Sequence, residues 1–306
     1  MAVVEQVVRA NAGRPPRGVI ASALFGAIEA FAVSPYKPNP NDIRKFGVDL
    51  SQYNTVNLQA LADYVIPAEF AMIRIGGSAS VRDTKFKQYW NAAKVAGIPR
   101  SIYTYTWPGW TVSQHISNFM ASVEQWTPGD LGEGPIWVDV ETHAGKSRRH
   151  VSLHAHDYIR SLEKETGKVV GAYSAKWFVD AWMQPQDWMK EIWWWLATYA
   201  TGREHPGPPV IPAPIPAHKV VIHQTGSKCD STLVGGKGTF DTDRWMRSDV
   251  LFNDLFGVKT PEPPDPDLEI RFAHLELRVE KTELEIKQLS KRQDKTDEWG
   301  NSYVSW

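Results

Sequence analysis

A chain of 306 residues with 42% hydrophobic and 23% charged residues has the composition of a globular protein, with room for one large domain and appendages. A formal net charge of −1 points away from nucleic acid or an anionic membrane surface as the main partner, and the single cysteine, Cys229, excludes an intrachain disulfide. The 14 Trp, 10 Tyr and 11 Phe can fill a core or stack on sugar rings, and composition does not separate the two.

Residues 1–43 read as a flanking segment. Arg14 and Arg17 precede GVIASALFGAIEAFAV (18–33), which is short for a membrane span and carries Glu29. A signal peptide and an Ala/Gly-rich packing helix are both open, with Glu5 and Glu29 favouring the helix. SPYKPNPND (34–42) reads as an extended linker. Over 44–256, short apolar runs alternate with helical patterns. The candidate strands are FGVDL (46–50), FAMIRI (70–75), SIYTYT (101–106), PIWVDVE (135–141), VVGAYS (169–174), IWWWLATY (192–199) and KVVIHQT (219–225). The helical patterns are NLQALADYV, KFKQYWNAAKVAG, VSQHISNFMASVEQW and LHAHDYIRSLEKETG. This alternation predicts a parallel sheet, and the lack of a Gly-x-Gly-x-x-Gly turn after the first strand favours a closed barrel over a dinucleotide fold.

HPGPPVIPAPIPAHK (205–219) predicts a polyproline-type loop, either standing on the barrel rim or tolerated as a surface insertion. A stiff acidic linker covers 257–267. Beyond it Leu268, Phe272, Leu275, Val279, Thr282, Ile286 and Leu289 recur at alternating spacings of four and three. Residues 268–306 therefore predict a coiled coil and a homo-oligomer, with one docked amphipathic helix as the plainer reading.

The stretch GPIWVDVETH (134–143) carries the chemistry. Side chains alternate along a strand, so Asp139 and Glu141 share a face while Val138 and Val140 point away. Asp49 and Asp241 fall at other strand ends, and in a barrel these four acids converge. Such a cluster is costly, because each charge raises its neighbours' proton affinity. A glycoside hydrolase uses that cost to keep one carboxyl protonated while others stabilise an oxocarbenium-like centre. No calcium loop, zinc-spaced histidine pair or Gly-x-Ser-x-Gly elbow occurs, so no metal or cofactor is expected. His150, His154 and His156 read as the start of a solvated helix.

At these residues the chain resembles a family. FGVDLSQYN is similar to the first-strand motif of the family-25 glycoside hydrolases, the CH-type lysozymes that cut peptidoglycan. FAMIRIGG with Asp83 and YWNAAKVAGIP, then SIYTYTWP, PIWVDVE, GKVVGAYSAKWF, WWLATY, VIHQTG and GTFDTDRW resemble its later units in order, over roughly 44–256. The resemblance implies an α/β fold, a TIM-like (β/α) barrel with incomplete helical decoration. It also implies N-acetylmuramidase activity on the β-1,4 bond between N-acetylmuramic acid and N-acetylglucosamine. Glu141 would be the general acid, Asp139 would position or polarise the substrate acetamido group, and Asp49 and Asp241 would be the flanking acids. Tyr105, Tyr173, Tyr199 and Gln224 would contact sugar. Arg74 would offset the acids' charge, or else form a rim salt bridge. The departures are His223 in place of an aromatic, Asp243 where Asn is frequent, followed by Arg244, and the Pro-rich insertion. The expected partner is bacterial peptidoglycan, outside the cell or on a virion. The flanks suggest attachment to phage tail or virion proteins. A free endolysin or secreted bacterial lysozyme is the alternative, and a non-catalytic structural or glycan-binding barrel is another.

Overall fold

The alternation of strand and helix patterns carries through in the structure, a computed structural model that describes residues 35–77 and 81–257, together with Thr282. Contacts divide the chain into two units, Met1–Val258 and Lys259–Trp306. The expected N-terminal helix and the coiled coil lie outside the described residues, Thr282 apart.

Among the described residues, nine strands form one sheet: β1 (Phe46–Leu50), β2 (Phe70–Gly77), β3 (Val81–Arg82), β4 (Arg100–Tyr105), β5 (Ile136–Asp139), β6 (Val170–Ala175), β7 (Trp194–Ala197), β8 (Val220–Asp230) and β9 (Thr239–Trp245). Seven of them run parallel in the order β1–β2–β4–β5–β6–β7–β8, and β9 pairs with both β8 and β1 to close an eight-stranded barrel. The short β3 pairs only with the end of β2.

The wholly parallel sheet predicted from sequence is corrected at β9, which is antiparallel to both neighbours. Only residues 231–238 join β8 to β9, with one 3₁₀ turn at Ser231–Val234. A parallel crossover needs a dozen or more residues, so the chain must return antiparallel.

Helices α1 (Leu58–Ala62), α2 (Phe86–Val95), α3 (Val112–Trp126), α4 (Arg148–Thr166) and α5 (Lys176–Trp182) fill the connections between strands up to β7. Their boundaries follow local chemistry. A Thr111/Gln114 capping box opens α3, Ser147 caps α4, and Gly167 (φ 66°) ends α4 in the left-handed region. The β7–β8 connection has no α-helix; it is the Pro-rich stretch, which leaves the rim and descends the outer wall with Ile215 buried.

Alternation along each strand separates two cores. Val48, Leu50, Ile73, Ile102, Val138 and Val140 face outward and pack with helix residues such as Trp90, Phe119 and Tyr158. Burying each such aliphatic side chain stabilises the fold by about 1.5–3 kcal/mol. Phe70, Met72, Tyr103, Trp137, Tyr173, Trp195 and Trp245 face the barrel interior. Two glycines make room for these rings: a Cβ on Gly47 would stand 2.2 Å from Phe70, and one on Gly171 would stand 2.4 Å from Trp137.

The last helix, α6 (Asp249–Phe256), closes one end of the barrel. Its Phe252 and Phe256 stack with centroids 4.5 Å apart and meet Phe70, which begins β2, and Trp245, which ends β9. Both of those residues lie at the end where the parallel strands start. The opposite end, where the parallel strands finish, holds the acids.

Candidate active site

Each acid reaches the open end by strand geometry. Asp49 is the fourth residue of β1 and Asp139 the last of β5. Glu141 lies two residues on, with Val140 N still bonded to Tyr173 O at 2.9 Å, so the alternation holds past the strand end. Asp241 was expected at a strand terminus after an apolar approach. It lies instead inside β9, directly opposite Asp49 in the antiparallel register. Because β9 runs backwards, its first half reaches the rim where the parallel strands end. Asp49, Asp139 and Asp241 carry carboxyls that burial and mutual repulsion hold well above the usual range. Glu141 is half-buried and raised chiefly by burial, with the Tyr173 hydroxyl opposing.

Gln224 organises one side of the cluster. Its Nε2 donates to Asp49 Oδ2 at 2.6 Å and to Asp241 Oδ2 at 3.3 Å. Its Oε1 accepts from Tyr173 Oη at 2.6 Å and from the Tyr199 hydroxyl. Both amide hydrogens and both carbonyl lone pairs are used, which fixes the amide orientation and ties two acids to two tyrosines. On the other side, Tyr105 and Tyr173 flank Asp139 in register on β4 and β6. Burial beside Asp139 pushes the Tyr105 phenol up to about 12, so it stays a neutral hydrogen-bond donor. Asp139 Oδ1 is buried with no hydrogen-bond partner.

Of the two roles open to Arg74, the rim salt bridge is the one made by direct contact. Its Nε pairs with Asp83 Oδ2 at 2.9 Å, the rim salt bridge, and its guanidinium lies 5.1 Å from the Tyr53 ring. Its charge still bears on Asp139, whose proton affinity it lowers against the larger effect of burial. Asp83 is the residue that fixes Arg74, and it also accepts from Gln52 N at 2.8 Å.

Among the described residues, four exposed aromatic rings follow the ends of parallel strands: Tyr53 after β1 (79% exposed), Trp177 after β6 (59%), Tyr199 after β7 (47%) and Trp107 after β4 (38%). Tyr199 turns its hydroxyl to Gln224 while its ring stays accessible. The loop bearing Trp107 is fastened from behind by histidines. His115, His150 and His154 place Nε2 at 3.0, 3.0 and 2.9 Å from the carbonyls of Trp107, Pro108 and Trp110. Of the three histidines expected at the start of a solvated helix, His150 is exposed, whereas His154 is buried with its pKa lowered to about 4 and the half-buried His156 stacks on Trp188.

Sequence reasoning missed Asp243 as a member of the cluster. It is wholly buried on the same face of β9 as Asp241. Its signal was present in the alternation of GTFDTDRW, where two aspartates stand two residues apart. The other departures lie on the outer face. Arg244 is fully buried and grips Glu204 through Nε and Nη2 at 3.1 and 2.8 Å, while the ring of His223 lies 5.3 Å from that of His205. They fasten the chain before β1 and the loop after β7 to the barrel wall and do not enter the site. Among the described residues, no group of three or more His, Cys, Asp or Glu has a metal-binding arrangement, and no helix is long and apolar enough to cross a membrane.

Comparison with known proteins agrees with this architecture. The chain is similar to the bacterial lysozyme of Streptomyces coelicolor (TM-score 0.59, 18% identity, 70% of this chain and 98% of that one). It is similar to a family 25 glycosyl hydrolase of Bacillus anthracis (TM-score 0.60, 18% identity, 73% and 99%). At such identities these likenesses establish the shared fold. Over 157 residues it is 26% identical to the uncharacterized protein YegX of Escherichia coli K12, matching 50% of this chain and spanning 56% of that protein's length. The model of the glycosyl hydrolases family 25 matches residues 48–228, more than half of the chain, and includes Asp49, Asp139, Glu141 and Gln224. The chain therefore belongs to glycosyl hydrolases family 25.

Proposed function

We propose that the protein is a peptidoglycan hydrolase, a muramidase that cleaves the β-1,4 bond between N-acetylmuramic acid and N-acetylglucosamine. The observation that carries this reading is the pair Asp139 and Glu141, two carboxyls that repel each other and lie among further buried acids with no cation in direct contact. Like-charged neighbours in such a setting cannot both ionise, so the pair shares a proton near neutral pH.

The deeper Asp139 competes for that proton, and Glu141 is the member that reaches the mouth. A substrate acetamido N–H donating to the unpartnered Asp139 Oδ1 would stabilise the Asp139 carboxylate and move the shared proton onto Glu141. Glu141 then protonates the glycosidic oxygen as its bond to the anomeric carbon breaks, and Asp139 holds the acetamido group against the developing positive centre. A water then adds to that carbon and returns a proton to the Glu141 carboxylate. Asp49 and Asp241, held by Gln224, shape the field on the far side. Tyr53, Trp107 and Tyr199 offer ring faces on which pyranose rings stack.

The test is turbidity loss of purified peptidoglycan with wild type and Glu141→Gln, together with mass spectrometry of the released ends. Wild-type clearing that leaves N-acetylmuramic acid at the reducing end supports the reading. No clearing by a folded wild type over a range of pH would overturn it in favour of a glycan-binding barrel.

We further propose that the enzyme works at the bacterial wall as part of an oligomeric assembly of the phage tail or virion kind. Support comes from the heptad run at 268–289 and its Pro-rich spacer. Solution mass with and without residues 258–306 decides this: a monomer in both cases would leave a free lysozyme as the reading.

A further inference from the structure

One buried carboxyl has no part in the scheme above. Asp243 lies beneath Asp241 on the inner face of β9 and is 0% exposed. Its Oδ1 accepts from Trp195 Nε1 at 2.7 Å. Its Oδ2 receives no N–H from the protein and no hydroxyl. Asp49, whose own Oδ2 is taken by Gln224 Nε2, stands diagonally across from Asp243 in the β1–β9 register, and the two carboxyls act on each other's proton affinity. The titratable groups that face this pair are Asp241 on β9, Asp139 on β5, Glu141 beyond it, Tyr103 on β4, Tyr199 beyond β7 and Glu204 in the following loop. The nearby cations act on other members of the cluster, Arg74 on Asp139 and Tyr103, and Lys228 on Asp241. Arg244, the next residue, points out of the barrel onto Glu204.

Two carboxyls in contact, buried and without a counter-ion, cannot both be charged. A single proton between them makes one O–H···O⁻ bond and satisfies the otherwise orphaned oxygen. Each carboxyl accepts one N–H, Asp243 from Trp195 and Asp49 from Gln224. The hydrogen bond between the two carboxyls raises the proton affinity of Asp49 and lowers that of Asp243, which places the proton on Asp49.

We propose that Asp243 is a positioning residue that shares one proton with Asp49, keeping Asp49 neutral at working pH and limiting the negative charge felt by the Asp139/Glu141 pair. This rests on the muramidase reading for its effect on rate, but the shared proton itself does not. Burial raises the proton affinity of both groups, with Asp241 adding to it at Asp243 and Asp243 adding to it at Asp49.

The experiment is the substitution Asp243→Asn. The introduced amide donates to Asp49 in place of accepting from it, so Asp49 becomes ionised. Carboxyl titration by ¹³C NMR of aspartate-labelled protein should place Asp49 above the ordinary carboxylate range in wild type. In Asp243→Asn it should fall within or below that range. Added charge on Asp49 then raises the proton affinity of the Asp139/Glu141 pair. The alkaline limb of the kcat/KM–pH profile should move up by roughly one unit, as a unit charge several ångströms away does in a partly buried site. An Asp49 titration unchanged by Asp243→Asn overturns the proposal. If Asp243→Asn does not fold, the wild-type titration decides alone: the pair should lose one proton above the ordinary carboxylate range, and two carboxyls that both titrate within that range overturn the proposal. The NMR readout is independent of turnover. A shifted titration in a protein that leaves peptidoglycan intact would therefore refute the muramidase reading and keep the proton-sharing pair.

Discussion

The two ends of the barrel interior are built by the same alternation of side chains and do opposite things. At the closed end Phe70, Trp245, Phe252 and Phe256 pack ring on ring, with the Trp245 indole N–H satisfied by Ser248 O at 3.1 Å. At the open end Asp49, Asp139, Glu141, Asp241 and Asp243 share the interior with tyrosines and one glutamine, and two of their oxygens have no donor. Apolar burial needs no partner and stabilises, whereas buried like charges destabilise and persist because the surrounding wall is rigid. The closed end holds the fold, and the open end draws on that stability to keep carboxyls in the wrong charge state for water.

If that contrast is right, changes at one end should lose activity without loss of stability, and changes at the other should do the reverse. The largest effect belongs to Glu141→Gln. Removal of the proposed general acid should lower kcat by about 10²–10⁴-fold, while melting temperature stays level or rises because one repelling charge is gone. A turbidity assay beside a thermal melt checks both, and a marked fall in melting temperature would break the comparison. At the closed end, Phe256→Ala opens a cavity between Phe70 and Trp245. It should cost about 3–5 kcal/mol in denaturant unfolding, with kcat per folded molecule unchanged. Between the ends, Gly171→Ala drives a methyl into the Trp137 ring. Overpacking of that kind costs about 1–3 kcal/mol. Since Gly171 lies two residues before Tyr173, kcat should fall modestly as well. A neutral outcome would mean that Trp137 can move aside.

The two ends were not equally legible in the sequence. The acids of β5 were readable because Asp139 and Glu141 sit in an apolar strand whose alternation leaves no other place for them. Their companions Asp49 and Asp241 were found through order along the chain. Asp241 was found in spite of a wrong orientation for its strand, since an antiparallel strand delivers its first residues to the same rim. Asp243 was passed over because its partner, Asp49, is 194 residues away, and only strand register brings the two together. The aromatic plug was hidden for the same reason. DVLFNDLF reads as one more amphipathic turn, and nothing local says that Phe252 and Phe256 turn into the barrel. His154 looked solvated because the carbonyl it binds, that of Trp110, lies 44 residues away along the chain.

The smallest effect is also the most discriminating, because two sets of groups oppose each other over one pH window. Asp49, Asp139, Asp241 and Asp243 are raised in the folded protein above an unfolded value of about 3.9. The folded state therefore binds more protons than the unfolded state above that pH. The stability they contribute is fully present below about 4 and is lost as pH rises through their folded values. His154 and His223 are lowered to about 4, against an unfolded value of about 6.5. For them the unfolded state binds more protons, so stability is lost as pH falls from about 6.5 to about 4. Across that interval the acids favour low pH and the histidines favour high pH, and wild-type melting temperature should vary little. His154→Gln can retain a donor to Trp110 O while removing one opposing group, so its melting temperature should rise relative to wild type as pH falls toward 4. Asp241→Asn should tilt the other way, falling relative to wild type over the same steps. Melting curves at half-unit intervals from pH 4 to 7 decide the matter. Variant profiles that run parallel to wild type would mean that neither the open-end acids nor the rim-loop histidines change protonation on unfolding, and the electrostatic contrast between the two ends would have to be abandoned.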